Sequence, residues 1–366
     1  MMNRLIVSNL ANRPVRSIVS IIAIALEVAL ILLIVGFSLG ILNDARNRQA
    51  GIGADIIVLP PGSANIVAFT NAPMPVKIGD LIARLPHVAV VSPALVQVST
   101  SGGWQNVYGI DFDTYHALHH FTFLKGGPFR GPDDLLVDDV YIHAQNLNVG
   151  DYVTLLNHRF RIAGVVAHGK GARLYVPLRT QQELSGALDR ATLFYVKADA
   201  PANIDAIIRE IKNIPHMETY NVFSMREWLS MMTADNVPML SKFIHIMIGI
   251  AVTIGVMVIF QAMYAAVMER TREIGILKSL GASKTYIVNI ILRETTLLAV
   301  GGIIVGIAIS FAASLAIRRQ TTLPVQITAP WVGYATIIAI VGALGGALYP
   351  AFKAAQKDPI DALAYE

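Results

Sequence analysis

The chain has 366 residues, of which 54% are hydrophobic and 15% charged, and its mean hydropathy is +0.54. These values exclude an ordinary soluble domain and indicate an integral membrane protein. The absence of cysteine excludes disulfides, thiolate metal ligands and cysteine nucleophiles. The net charge is +4, but residues 43–240 are slightly acidic, so the basic excess favours membrane orientation over nucleic-acid binding.

Four apolar stretches are long enough to cross a hydrocarbon core of about 30 Å, which needs about 20 residues. The first follows several arginines, yet its apolar run is longer than that of a signal peptide and no A-x-A cleavage site follows. We therefore expect an uncleaved anchor. The predicted spans are 18–42, 243–267, 288–317 and 331–349.

Glu27 lies in the middle of the first predicted span. A charged residue there costs roughly 2.5–3.5 kcal/mol on insertion scales, and such residues normally face the interior of a bundle. Two interpretations are open. Glu27 either contacts a substrate or couples a conformational change, or it is a protonated side chain hydrogen-bonded to a neighbouring helix.

Residues 43–240 form a predicted outer domain with alternating strand and helix patterns. Strand-then-helix order near both of its ends suggests an α+β domain whose middle is an insertion. The predicted strands are 55–59, strands around Pro93 within 88–100, 104–110 after a turn at 101–103, the two arms of a hairpin at 148–166, and 192–197. The predicted helices are 78–85 and 204–214.

Two motifs in this domain resemble ligand sites. Residues 164–171 match the phosphate loop G-x-x-x-x-G-K, but Gly171 replaces the Mg²⁺-binding hydroxyl and a strand pattern follows, so we expect no ATP site. His116, His119 and His120 have a spacing that permits a metal or haem contact, while solvent-exposed histidines beside a strand-rich core are the favoured alternative. No catalytic residues and no metal ligands are predicted.

The run Glu269–Lys284 between the second and third spans has the pattern of an amphipathic helix that stops and restarts. Ile274, Leu277 and Leu280 have helical spacing, Gly281 is suited to a helix end, and Ser283 can cap the next helix. An ordinary basic loop explains the charges equally well.

The basic residues also predict orientation. Arginines before the first span and basic residues in 268–287 and in the C-terminal tail lie on one side if four helices are counted, and the positive-inside rule makes that side cytoplasmic. Two G-x-x-x-G pairs predict close helix packing, within one subunit or between two. These pairs are Gly302 with Gly306 and Gly342 with Gly346.

Three segments together resemble the MacB/FtsX family of ABC-transporter permeases, also called type VII or mechanotransmission permeases. The first is E-R-T-R-E-I-G-I-L-K-S-L-G-A-S at 269–283. The second is Glu294 followed by Gly301, Gly302 and Gly306. The third is the proline-bounded tail at 349–363, with Pro350 and Pro359.

This resemblance implies a membrane α-helical protein with four transmembrane helices and a large α+β extracytoplasmic domain inserted between helices 1 and 2. The implied segments are a cytoplasmic N-terminus 1–17, span 18–42, outer domain 43–240, span 243–267, cytoplasmic coupling helix 268–287, span 288–317, outer loop 318–330, span 331–349 and cytoplasmic tail 350–366.

The implied partners are a separate ABC ATP-binding subunit that carries the ATP and magnesium, a second permease copy or a related subunit, a periplasmic adaptor protein and the lipid bilayer of the bacterial cytoplasmic membrane. No cofactor is expected in this chain. The residues implied to contact the ATPase are Glu269, Arg270, Arg272, Glu273, Gly275, Lys278, Leu280 and Gly281.

The leading functional expectation is a non-catalytic permease subunit of an export system. The alternative is an FtsX-like transducer that regulates an outer partner, such as a cell-wall hydrolase, without transport. A membrane-anchored binding protein or enzyme without an ATPase is the least favoured.

Overall fold

The computed structural model describes residues 14–63, 73–99, 105–237 and 240–356, which form two compact units. We call residues 14–40, 240–319 and 323–356 the membrane bundle, and residues 41–237 with 320–322 the inserted domain. Several predicted features lie outside the described residues: Arg4 and Arg13, the turn at 101–103, Trp104, and the tail from Lys357 onwards with Pro359.

The membrane bundle contains four helices with the length and hydropathy of membrane spans among the residues described. All four extend beyond the apolar cores predicted from sequence, because a helix continues for as long as its flanking residues favour helix and can be packed or capped. Their bounds are α1 (Pro14–Ala50), α8 (Leu240–Glu269), α10 (Lys284–Gln320) and α11 (Ala329–Gln356).

Glycines bring the bundle helices close together. A methyl group added at Gly306 would lie 2.7 Å from the Ala25 carbonyl oxygen, so α10 packs closely on α1. One added at Gly346 would lie 2.7 Å from the Val256 carbonyl oxygen, so α11 packs closely on α8. Small interfacial residues of this kind permit van der Waals packing where lipid supplies no hydrophobic driving force.

The last helix differs from the sequence expectation in a specific way. The predicted span ends at 349, before Pro350, but α11 continues through that proline to Gln356. Proline removes one backbone hydrogen bond and usually kinks or ends a helix. Here the residues beyond it are held by packing, since Ala351, Ala354 and Ala355 are almost fully buried.

The inserted domain is built around a ten-stranded sheet with the order β12-β1-β11-β3-β4-β9-β6-β8-β5, and β7 pairs with β8. Neighbours are antiparallel except for the parallel pairs β4–β9 and β6–β8. A two-stranded sheet joins β10 and β2. The strands are β1 (Ile56–Leu59), β2 (Met74–Pro75), β3 (Val88–Ser99), β4 (Gln105–Ile110), β5 (Phe123–Gly126), β6 (Asp134–Asp138), β7 (Tyr152–Leu155), β8 (His158–Val166), β9 (Leu174–Pro177), β10 (Arg190–Ala191), β11 (Leu193–Ala198) and β12 (Asn221–Ser224).

Helices cover this sheet, so its central strands are buried on both faces. In β1, for example, Ile56 and Val58 enter one hydrophobic cluster while Ile57 and Leu59 enter another. The short helices are α2 (Lys77–Ala83), α3 (Phe112–Leu118), α4 (Asp139–Gln145), α5 (Leu178–Leu184), α6 (Ile204–Asn213) and α7 (Met225–Met231), and a 3₁₀ turn spans Pro201–Asn203.

The local sequence predictions for this domain are mostly confirmed. The hairpin at 148–166 is the antiparallel pair β7–β8, and α6 buries Ile207 and Ile211 as its periodicity predicts. The strands predicted around Pro93 form the single strand β3, which continues through that proline. Pro93 pairs with Phe194 of β11 in an unbroken register from Leu193 to Lys197.

Candidate functional site: the coupling helix and the buried polar groups

The helical segment between α8 and α10 is short and separately bounded. Helix α9 (Thr271–Ser279) follows α8 after Arg270, which is not helical. Gly281 has a φ of +91°, and the Gly281 and Ala282 N–H groups donate to carbonyls of the last turn. The Ser283 hydroxyl then accepts a hydrogen bond from the Tyr286 N–H at 3.2 Å. The predicted stop at Gly281 and cap at Ser283 are confirmed.

A buried ion pair fixes the start of α9. Arg270 Nη1 lies 3.0 Å from Glu294 Oε2 of α10, and the two side chains are only 11% and 3% exposed. A cleft beside the pair is lined by Glu273 and by apolar side chains such as Met263 and Ile291. Because removing either partner would leave a charge buried, this pair holds the α8–α9 junction against α10.

A second contact fixes the other end of α9. Lys278 Nζ donates a hydrogen bond of 3.1 Å to the carbonyl oxygen of Ala355, in the last turn of α11. A cation at a helix C-terminus is also favoured by the helix dipole. Helix α9 is therefore attached to α10 at one end and to α11 at the other.

The eight residues implied to contact an ATPase divide into two groups. Arg270 and Lys278 are half-buried and bind within this chain, and Gly275 is buried. The others form an exposed set: Glu269, Arg272, Glu273, Leu280 and Gly281.

Large apolar side chains are exposed both within that set and next to it. Leu280 is 80% exposed and Ile276 is 45% exposed. Of the predicted apolar stripe, Ile274 alone is half-buried, while Leu277 and Leu280 are exposed. We call Ile276, Leu277 and Leu280 the α9 patch; an exposed apolar cluster with a polar rim is typical of an interaction surface.

The intramembrane Glu27 is buried in the bundle, at 3% exposure. Neither of its carboxyl oxygens has a hydrogen-bond partner among the residues described. Of the two interpretations open from sequence, the hydrogen bond to a neighbouring helix is not found in this part of the chain. The carboxyl instead lies against Gly255 of α8, with Gly342 of α11 nearby.

The inserted domain contains a polar network that local sequence patterns do not predict. Arg173 bridges two carboxylates, with Nη1 at 3.1 Å from Asp138 and Nη2 at 3.0 Å from Asp44 near the end of α1. Gln49, also on α1, donates to the Tyr108 hydroxyl at 2.9 Å and accepts from the Tyr195 hydroxyl at 3.0 Å. These partners are 35 to 146 positions apart in sequence, so local patterns give no signal for them.

Burial changes the ionisation of this network. Desolvation raises the pKa of Asp138 to about 6, although the charge of Arg173 opposes it. Burial also raises the pKa of the Tyr108 and Tyr195 hydroxyls, which therefore remain neutral.

The loop that resembles a phosphate site has a different role. It is followed by strand β9 and not by a helix, as predicted. The Lys170 carbonyl accepts hydrogen bonds from the Tyr115 and Tyr175 hydroxyls, and its ammonium group contacts His119. The loop is thus part of the domain core, and burial lowers the pKa of Lys170.

The three neighbouring histidines do not converge on one point in the structure. His116 Nε2 lies 3.1 Å from His120 Nδ1, while His119 points to Lys170. Across the described residues, no group of three or more histidine, aspartate or glutamate side chains has the geometry to hold a metal ion. Burial, followed by the charge of His120, lowers the pKa of His116, which favours the neutral form of the His116 imidazole.

Comparison with known families supplies the identification. The model of the MacB-like periplasmic core domain matches residues 17–214, more than half of the chain, and the model of the FtsX-like permease C-terminal region matches residues 245–359. The chain belongs to the MacB/FtsX family of ABC-transporter permeases. The predicted family, the four-helix membrane architecture and the mixed α/β domain between the first two spans are therefore confirmed.

Individual relatives agree with this assignment at low identity. The chain is 27% identical to an uncharacterized ABC transporter permease, YknZ, of Bacillus subtilis, over 72% of this chain and 68% of that protein. It is 24% identical to a macrolide export ATP-binding/permease protein, MacB, of Bdellovibrio bacteriovorus, over 98% of this chain and 60% of the relative. The MacB/FtsX-type chain thus spans about three fifths of that MacB protein.

A solved structure also matches. It is the periplasmic region of MacB from Actinobacillus actinomycetemcomitans, which is 16% identical with a TM-score of 0.39 and covers 48% of this chain and 92% of that structure.

Proposed function

We propose that this chain is the permease subunit of an ATP-driven export system whose ATP-binding subunit is a separate chain that docks on α9. The α9 patch is the observation that carries the proposal. It lies on the segment in which the family's permease C-terminal region is matched, and it exposes apolar side chains next to charged ones.

The way in which α9 is held supports this function. The Arg270–Glu294 ion pair attaches it to α10, and the Lys278–Ala355 hydrogen bond attaches it to α11. A force applied by a docked subunit to the patch is therefore passed to two membrane helices through short polar contacts. A solvated loop without such attachments would not transmit it.

The proposed arrangement follows from docking at α9. The face that carries α9 is cytoplasmic, because ATP is available there, and the inserted domain faces outward. Arg272 and Lys284 near α9 agree with the positive-inside rule. A second permease copy or a related subunit, and an outer adaptor protein, complete the proposed assembly. ATP and magnesium are bound by the partner, which leaves this chain without catalytic residues.

The proposal is tested by co-expressing the tagged chain with ATP-binding-cassette subunits of the same organism, and by measuring which of them co-purifies. Leu280→Glu places a charge in the centre of the α9 patch and is expected to reduce recovery of the subunit at least tenfold, about 1.4 kcal/mol or more. The matched control is Leu188→Glu, the same change at a 50% exposed leucine in the inserted domain, which should not affect recovery. Equal recovery with both variants would contradict docking at α9.

Transport itself needs a second measurement. Vesicles that contain the complex and ATP should move substrate in the wild type but not in the Leu280→Glu variant. ATP-dependent activation of an outer partner without movement of substrate would instead support a signal transducer.

A further inference from the structure

The carboxyl group of Glu27 occupies a gap that two glycines leave open. A methyl group added at Gly255 of α8 would lie 1.9 Å from Glu27 Oε2, so that oxygen sits where a side chain would be. One added at Gly342 of α11 would lie 3.6 Å from Oε1. We call Glu27, Gly255 and Gly342 the Glu27 slot.

The slot belongs to an interface of small residues. Ala251 lies one turn before Gly255, Ala339 lies one turn before Gly342, and both alanines are buried. Gly342 also approaches Val256, where a methyl group would be 3.6 Å from the valine side chain. The carboxyl is therefore surrounded by protein and not by lipid headgroups or bulk water.

Ionisable groups on the surrounding helices are distant from the slot. Along its own helix, each lies at least seven residues from Glu27, Gly255 or Gly342, or, on α10, from Gly302 and Gly306, which pack against α1. Seven residues correspond to about 10 Å at 1.5 Å per residue. Among the side chains that the structure describes, those nearest to the slot along each helix are Asp44 on α1, His245 and Tyr264 on α8, Arg293, Glu294 and Arg318 on α10, and Tyr334 and Tyr349 on α11.

The chemistry of the slot selects its ligand. An ionised carboxylate without a counter-charge or hydrogen-bond donor is strongly disfavoured in a medium of low polarity, whereas the protonated acid carries no net charge. A metal cation needs several oxygen ligands, for example six to eight for calcium, and one carboxyl cannot supply them. A proton needs only one.

We propose that the Glu27 slot is a proton-binding site of the membrane bundle. Glu27 carries a bound proton while α1 lies against Gly255 and Gly342. It releases the proton to water only when these helices separate far enough for water to reach the carboxyl. Separation and closure of the slot are therefore accompanied by release and uptake of one proton. This property does not depend on docking at α9.

The test is infrared spectroscopy of the full chain in lipid nanodiscs, which separates the carbonyl stretch of a protonated acid from the bands of an ionised carboxylate. At pH 7, well above the ordinary glutamate pKa of about 4.3, the wild type should show an acid band that Glu27→Gln lacks. The matched control, Glu273→Gln, changes an exposed glutamate on α9 and should leave that band unchanged. The absence of an acid-band difference between wild type and Glu27→Gln would overturn the proposal.

Hydrogen exchange tests the position of the bound proton without requiring any variant of Glu27 to fold. After transfer to D₂O, the acid band of the wild type should shift slowly, because the slot excludes water. Gly255→Ala displaces the carboxyl from the slot and should speed this shift at least tenfold. An acid band that shifts at once in the wild type would show that the carboxyl is in water and would overturn the assignment to the slot.

Discussion

The two units differ in how they hold their most deeply buried acids, which are Asp134 and Asp138 in the inserted domain and Glu27 and Glu294 in the membrane bundle. In the inserted domain, Arg173 joins two carboxylates and Gln49 joins two tyrosine hydroxyls. In the membrane bundle, Glu294 is paired with Arg270, whereas the equally buried Glu27 lacks a hydrogen-bond partner among the residues described. The difference suggests that paired groups fix the positions of elements, and that an unpaired acid in the bundle is kept neutral by a proton.

The largest expected effect comes from breaking the pair in the bundle. Arg270→Met leaves Glu294 buried without its cation and should lower the free energy of unfolding in detergent by about 3–5 kcal/mol. Thermal unfolding of the purified chain measures this loss. The control is Arg272→Ala, which removes an exposed arginine two positions away and should change stability by less than about 0.5 kcal/mol.

A double variant tests whether Arg270 and Glu294 stabilise the bundle as a pair. Arg270→Met with Glu294→Met replaces the whole pair by apolar groups and should recover most of the loss. Losses that simply add would show that the two side chains do not act as a pair.

The next effect is a pH dependence in the inserted domain. The folded-state pKa of Asp138 is raised from 3.8 to about 6 by burial, so its protonated form stabilises the fold fully below about pH 4. This contribution is lost as the pH rises through 6, and the shift corresponds to roughly 3 kcal/mol. Asp138→Asn mimics the protonated form and should flatten the stability profile between pH 4 and 7.

Asp134 provides a control of opposite sign. Desolvation acts to raise its pKa, but hydrogen bonds from Arg161 and from the Arg130 and Gly131 N–H groups outweigh it and lower the pKa. Its contribution is present at neutral pH and is lost as the pH falls below about 4. Parallel pH profiles for wild type and Asp138→Asn would contradict the role assigned to Asp138.

The smallest of these effects concerns Gln49. Gln49→Leu leaves the buried Tyr108 and Tyr195 hydroxyls without their shared partner and should cost about 1–3 kcal/mol. Urea unfolding of the full chain in detergent, followed by near-UV circular dichroism, measures the loss. Adding Tyr108→Phe and Tyr195→Phe removes the stranded hydroxyls and should restore part of it. A triple variant less stable than Gln49→Leu would show that loss of the Gln49 amide is not what leaves the two hydroxyls without hydrogen bonds.

Features that depend on residues close together in the chain were predictable from the sequence. Hydropathy located four spans, two-residue alternation located the β7–β8 hairpin, and the glycine and serine after α9 predicted its end and the next cap. The motif at 269–283, together with Glu294 and the tail, also identified the family that the comparisons confirm. These signals are local because hydrogen-bond periodicity and turn geometry are local.

Which polar groups contact each other depends on the tertiary structure and was not predictable from the sequence. Arg270 pairs with Glu294 across 24 positions, and Arg173 reaches Asp44 across 129, although each charge alone looks like part of an exposed surface. The same holds for Pro350, which stays inside α11 because the alanines beyond it are buried, and for Glu27, whose glycine neighbours lie on two other helices. A buried charge or a close helix approach depends on groups brought together by the fold, and the pattern of a single segment does not contain them.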